Sequence, residues 1–539
     1  MDIPISVARL VLVDGQGLTI EDVVLVARKE EPVELLPEAL DAVARSRAVV
    51  ERLAEEQIPV YGITTGFGEM CYKLVPKEFE RELQENLVKS HAAGYGRPLP
   101  RECVRAMMLA RLNCLIRGHS GVRPELVKLL AEMLNRGVHP IVPEYGSLGA
   151  SGDLAPLCHM AAVMMGEWRA EYRGRVMDGR EALEAAGLKP VELKYKEGLA
   201  LVNGTSASTG IASLAVFDAL KLVKHALIAS AMSLAALRAS IKPFDLRGHL
   251  AKPHKGQIEV ARFMYEMLKG CDLVRRHEAI TSRLKKEYAP GTVVNGSEYL
   301  QNAYSLRVIP QVVGSTLDTL KFVRSVIETE LNSSNDNPLV FEDGDAFHGA
   351  NFHGQYVANA MDYLAIAVAQ VALLSERRLA RLINRFYSAG LPEFLVDPGL
   401  PAGLYAGFEG GQYIATALAA EIRRLCTPAS VQSIPSNADN QDFVSMSMNA
   451  ALNARRVVEL ANVVVAVEFL AAAQALDLRE KPDIKLGKPI SRAYHRIRNS
   501  ISHLAEDRIF ASDVEKMLSL MRSGKIIRDV EKVGVVLAA

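Results

Sequence analysis

Three stretches of this 539-residue chain read as unbroken helices of unusual length: residues 208–241, about 355–388, and one after Met446 running to about Leu478. Each is rich in Ala, Leu and Val, and each follows a loop of Gly, Asn and Ser. Helices that long bury their apolar sides against one another. The expected fold is therefore almost all α: a bundle of four or five very long, near-parallel helices beside a loop-rich N-terminal region. We expect residues 1–205 to form the loop-bearing domain, 206–478 the helix bundle and 479–539 a charged helical tail with helices near 489–503 and 512–522. Apolar residues make up 49% of the chain, enough for a large core.

Charge excludes several functions. Basic and acidic residues number 63 each, so no field draws the chain to nucleic acid or an anionic membrane. The apolar helices carry internal charges such as Asp218, Lys221 and Lys224, against a membrane span. Six scattered cysteines without a Cys-x-x-Cys pair suit free thiols, and the N-terminus shows no basic, cleavable leader. A cytoplasmic protein is expected. His348 and His353 stand five apart with no acidic pattern, so no metal site is read from them.

Local signals come next. Thr19-Ile-Glu-Asp22 is a capping-box pattern ahead of a helix. Residues 37–57 and 80–93 are helical in period, and a hairpin turns at Arg173-Gly174. The helix from Ser208 should end at Lys242-Pro243, since the residue before a proline avoids helical geometry. In the glycine-rich loop 60–70, Tyr61, Phe67 and Met70 are large for an exposed turn, so packing is expected there.

Gly146-Ser-Leu-Gly-Ala-Ser-Gly-Asp-Leu-Ala-Pro156 is the chemically distinctive stretch. No Gly-Lys-Ser/Thr follows, the glycines are not spaced for a dinucleotide, and Ser151 lacks the second glycine of a nucleophile elbow. Asp153 is placed to cap the following helix, with Pro156 in its first turn. By residue type alone this is a tight turn. Ala150-Ser151-Gly152 permits more. The unhindered Gly152 amide nitrogen can attack the Ala150 carbonyl carbon, and loss of two waters, one carrying the Ser151 hydroxyl, leaves 4-methylidene-imidazol-5-one. That ring is an electrophile made from the chain itself.

This loop resembles the prosthetic-group loop of the aromatic amino acid ammonia-lyases and 2,3-aminomutases, and the likeness extends from about Val11 beyond Arg479. The resemblance implies a homotetramer with sites shared between chains, acting on a small aromatic amino acid through the ring formed from Ala150, Ser151 and Gly152, with no metal. It implies that Tyr61, on a lid loop with Gly68, removes the substrate's β-hydrogen. An unperturbed phenol titrates near about 10, so that role needs a lowered pKa or a coupled proton transfer. Asn203 is expected to contact the ring. Gln301, Tyr304 and Arg307 recur at spacing three and are expected on one side of a helical turn, with Arg307 taking the substrate carboxylate and Tyr304 near the amine. Asn351 and Phe352 line the site, and helix N-termini should aim at the ring.

The remaining positions bear on the substrate. Ser90-His91 stands where the family reads the aromatic ring; this pair occurs in histidine lyases and in tyrosine aminomutases, and argues against phenylalanine. Tyr413 replaces the aliphatic residue usual in histidine lyases. Asn440-Gln441 stands where those lyases have Gln-Glu, and their glutamate serves the imidazole. L-Tyrosine is the expected substrate, the nearest pattern being that of the bacterial tyrosine 2,3-aminomutases. Release of ammonia would give p-coumarate, and its return at the β-carbon β-tyrosine. Histidine elimination to urocanate is the alternative, and a helical scaffold whose loop never closes is a third.

Overall fold

The computed structural model describes residues 10–479 and 484–538; the N-terminal start weighed above for a leader lies outside them. The helices that frame the site are α1 (Glu80–His91), α2 (Leu154–Met164), α3 (Ser206–Ala236), α4 (Tyr304–Arg307), α5 (Ile309–Leu331), α6 (Gln355–Ile383), α7 (Glu409–Leu425) and α8 (Ser447–Asp477). Two of them, α3 and α8, reach 31 residues, and α6 reaches 29. Helix α8 packs along both α6 and α3, and α5 packs along α6. The expected all-α bundle is what the chain forms.

The long helices are apolar on nearly every side. In α3, Ile211, Leu214, Leu222 and Leu227 are fully buried, as are Val464, Val465 and Phe469 in α8. All-round apolarity marks helices enclosed by other helices. One buried salt bridge crosses this core. Arg378 on α6 makes a two-pronged contact with Glu468 on α8 (2.6 and 2.8 Å), and Ser233 on α3 donates to the same carboxylate (2.8 Å).

Strands are few and short. A three-stranded antiparallel sheet joins Val138–Pro140, Arg169–Tyr172 and Arg175–Asp178, turning at Arg173-Gly174 as the sequence suggests. The capping box at Thr19 forms, Thr19 accepting from the Asp22 amide and Asp22 from that of Thr19.

Several local expectations are corrected. The helix α3 stops at Ala236, five residues before Ile241 that precedes the Lys242-Pro243 break. Its terminal carbonyl is taken by the Arg479 guanidinium (3.0 Å), and Arg238 turns left-handed at φ +50°. Met70 is exposed rather than packed. The tail holds helices at Lys488–Arg498 and Phe510–Arg522, and a further one at Lys525–Glu531.

Candidate active site

Ala150-Ser151-Gly152 lies where four helices begin. Helix α2 starts directly after the loop, at Leu154. The start of α6 reaches it through the Gly354 amide, which donates to the Gly149 carbonyl (3.1 Å). The start of α8 reaches it twice: the Met446 amide donates to the Leu148 carbonyl (2.8 Å) and the Ser445 hydroxyl to Gly149 (2.9 Å). The start of α3 supplies the closest contact. The Asp153 amide donates to the Gly204 carbonyl (2.7 Å), and Gly152 and Gly204 pair as a lone β-bridge. Four positive helix ends therefore meet at one loop.

Gly152 has φ +71°, and a Cβ there would lie 2.2 Å from both the carbonyl carbon and the oxygen of Gly204. Only glycine permits two backbones to approach this closely.

Polar side chains hold the rest. The Asn203 amide donates to the Ser151 carbonyl (2.8 Å), and Gln441 donates to the Ser151 hydroxyl (3.0 Å) while accepting from Ser436 (3.0 Å). The Oδ1 of Asn203 is buried without a partner. Beneath the loop, Asp153 is fully buried and accepts from Ser147 (2.8 Å) and from the Ser208 amide and hydroxyl (2.7 and 2.9 Å). Its expected role is thereby corrected. Asp153 stands at the cap position of α2 but makes no cap bond there; its carboxylate caps α3 instead. Burial raises the Asp153 pKa, against the pull of those hydrogen bonds. Nearby, Glu330 on α5 accepts from the Thr205 hydroxyl. Burial lifts the Glu330 carboxyl to about 6, with the Thr205 bond opposing and the Asp153 charge adding to the rise.

Tyr61, in the 60–70 loop, is half-buried, edge-on to Phe67 (6.2 Å), and its hydroxyl accepts the Gly68 amide (2.8 Å). Burial raises the phenol, and the Gly68 bond only partly offsets that. The lowered pKa considered above is absent in this arrangement. The Tyr61 amide donates to His348 Nε2 (3.1 Å), tying the 60–70 loop to the segment that leads into α6.

Ser90 and His91 end α1. His91 Nδ1 faces the Leu87 carbonyl (3.0 Å) and the Ser90 oxygen (2.9 Å), while the Ser90 hydroxyl donates to Leu87 (3.1 Å). The Gly94 amide that follows donates to His159 Nε2 on α2 (3.1 Å), joining this turn to the helix after the loop. Burial, helped by the Arg169 charge, depresses His159 to about 4, consistent with a neutral acceptor.

Other expected residues stand apart from this cluster. Helix α4 is a single turn, and Gln301 lies outside it, so the three-residue spacing does not put Gln301, Tyr304 and Arg307 on one helical face. Arg307 lies over the Tyr304 ring (4.6 Å), and its buried Nε has no partner. Tyr304 is 70% exposed. Tyr413 is exposed on α7 and donates to Glu409 (2.7 Å). Asn351 donates to the Ser334 carbonyl (3.3 Å), Phe352 is half-buried and Asn440 is exposed. Among the described residues, no hydrogen bond, ion pair or ring contact joins Gln301, Tyr304, Arg307 or Tyr413 to residues 150–152. Sequence reasoning missed Gly354, Ser445 and Met446, which hold the loop largely through backbone groups. Glu330 was hidden in an ordinary helical pattern, and His348 was weighed only as a metal ligand.

The chain is almost all helical, with a glycine-braced Ala-Ser-Gly loop at the start of its long helices. The chain belongs to the aromatic amino acid lyase family, whose profile matches residues 18–499, a family that includes both ammonia-lyases and aminomutases. It is 47% identical over 526 residues to the MIO-dependent tyrosine 2,3-aminomutase of Streptomyces globisporus, covering 97% of this chain and 96% of the relative. It is 46% identical to a histidine ammonia-lyase of Alkaliphilus oremlandii over 97% of this chain and 98% of the relative. The crystal structure of the Streptomyces globisporus tyrosine aminomutase superposes with a TM-score of 0.93 at 46% identity, covering 97% of this chain and 99% of that one.

Proposed function

We propose that the protein acts on L-tyrosine, eliminating ammonia to give p-coumarate, re-adding it at the β-carbon to give β-tyrosine, or both. The observations that bear on the choice of substrate are the hydrogen bonds of His91 and Gln441. His91 Nδ1 meets a carbonyl and a hydroxyl oxygen whose proton is already committed to Leu87. On this pattern Nδ1 bears a hydrogen, and in the neutral ring Nε2 is then an acceptor. An acceptor suits a phenolic O–H. A histidine substrate would call for a carboxylate near its imidazole, and Gln441 offers a neutral amide held between Ser151 and Ser436.

The residues around the loop suit a 4-methylidene-imidazol-5-one ring at 150–152. Gly152 needs no side chain, Asn203 has an uncommitted buried oxygen, and Gln441 contacts the Ser151 hydroxyl that would be lost. Such a ring would supply an electrophilic carbon for the substrate amine. Asn203, which donates to the Ser151 carbonyl that the ring would keep, would hold the ring. Arg307 has no carboxylate of the protein's own among the described residues, which fits it to bind that of the substrate. Tyr61 accepts the β-hydrogen, and the surrounding lid excludes water while charge develops next to the carboxylate.

We also propose a homotetramer whose sites draw on several chains. Arg307, Tyr304 and Tyr413 are not bonded to the loop of their own chain. The helices nearby expose Phe322, Tyr356 and Tyr363, which are 54%, 74% and 51% accessible, an apolar face suited to burial against another copy.

The test is direct. The protein is incubated separately with L-tyrosine, L-histidine and L-phenylalanine, and coumarate, β-tyrosine, urocanate and cinnamate are sought by chromatography. Urocanate alone would replace tyrosine with histidine. No product, with an intact mass equal to the unmodified chain, would leave only a scaffold.

A further inference from the structure

The turn Asn203-Gly204-Thr205 is the surface against which the reactive loop is pressed. Asn203 holds the Ser151 carbonyl, and the Gly204 backbone holds Gly152 and Asp153. What fixes the turn itself is unusual. Thr205 occupies the cap position of α3, where a threonine hydroxyl ordinarily accepts an amide of its own helix. It makes no such bond. The cap is supplied from outside, by the Asp153 carboxylate on the Ser208 amide. Thr205, fully buried, gives its hydroxyl instead to Glu330 in the last turn of α5. The start of α3 is thus gripped from two sides by carboxyl groups, and only the Asp153 side belongs to the loop. Glu330 is an independent anchor.

We propose that Glu330 is a positioning residue for ring closure. Through the Thr205 hydroxyl it holds the 203–205 turn where Gly204 fixes Gly152, and without that anchor the turn recedes and closure slows. The inference rests on the loop closing as proposed above. It adds no reagent to that step: Gly152 nitrogen bonds to the Ala150 carbonyl carbon, and two waters leave.

The variants Glu330→Ala and Thr205→Val remove the bond; Glu330→Gln and Thr205→Ser keep an acceptor and a donor in place. Intact-protein mass is followed over time after expression of the full-length chain, and helix content and oligomeric size are measured on the same samples. A wild-type chain at the unmodified mass refutes closure itself and leaves nothing for Glu330 to position. With a wild-type chain two waters lighter, the expected result is water loss slowed roughly tenfold, equivalent to about 1.4 kcal/mol, in Glu330→Ala and Thr205→Val at unchanged helix content and size. The Gln and Ser variants should close like the wild type, a rescue that a general packing defect would not produce. Should Glu330→Ala fail to fold, Thr205→Val decides. Normal closure in the variants lacking the bond overturns the proposal, as does equal slowing in Glu330→Gln, which would assign the effect to charge.

Discussion

Replacing Gly152 with alanine tests the site where its geometry is tightest. The added Cβ would sit 2.2 Å from two backbone atoms of Gly204 and 2.5 Å from a third, at φ +71°. Carbon contacts relax only near about 3.5–4 Å, so one of the two backbones has to move by more than an ångström. The left-handed conformation costs alanine about 1–2 kcal/mol. Separating the strands breaks the Asp153-to-Gly204 bond, about 1 kcal/mol, and the overlap adds about 1–3 kcal/mol. The sum, about 3–6 kcal/mol, falls on the segment that must close. At tenfold for every 1.4 kcal/mol or so, ring formation should slow by roughly a hundredfold or more. Gly174→Ala is the matched control, for Gly174 has φ +78° with nothing within 4 Å of an added Cβ, and so incurs only the conformational cost. Intact mass over time reports closure, and thermal unfolding compares the two variants. A Gly152→Ala chain that loses its two waters at the wild-type rate, or melts no lower than Gly174→Ala, refutes the reasoning.

Tyr61→Phe should lower kcat by about 10²–10⁴, the usual contribution of a general base, with little loss of stability, because among the described residues the hydroxyl has only the Gly68 amide as partner. Since burial raises the Tyr61 pKa, the deprotonated base is scarce near neutrality and kcat/KM should keep climbing into the alkaline range; a pH–rate profile already flat at neutral pH contradicts this. His91→Leu should cut kcat/KM for tyrosine roughly 10- to 100-fold, the worth of a lost hydrogen bond with its partner left unpaired, while phenylalanine changes little; an unmoved tyrosine-to-phenylalanine ratio in steady-state kinetics removes His91 from recognition. Glu468→Ala leaves the Arg378 guanidinium buried and unpaired and should destabilise the bundle by about 3–5 kcal/mol, whereas Arg378→Met with Glu468→Leu should recover most of that in thermal denaturation.

The fold was readable because its helices advertise themselves: α3, α6 and α8 are long apolar runs that begin after polar, glycine-bearing loops, and only an all-helical bundle accommodates them. Their ends were harder. A proline at 243 suggested where α3 stops, but Arg479, more than two hundred residues on, takes its last carbonyl earlier. Asp153 shows the same limit. Its local sequence fits a cap on α2, and nothing in that sequence reveals that Ser208, 55 positions away, competes for the carboxylate. The expectation that Ala150-Ser151-Gly152 closes a ring was available from residue type. The grip on that segment was not, since Gly204, Gly354 and Met446 act through backbone groups, which every residue has. Gln301 fell outside its expected helix because α4 is one turn long, too short for a three-residue spacing to be informative.

The four helices that begin at the 150–152 loop have a consequence for how its surroundings respond to conditions. Their field comes from peptide dipoles, which hold no exchangeable charge. Acid cannot neutralise it and base cannot strip it, and enclosed as it is, dissolved salt screens it poorly. The contribution of these helix ends at residues 150–152 is therefore a constant of the folded chain, and the pH dependence of any reaction there belongs to groups that gain and lose protons, such as Tyr61, Asp153 and Glu330.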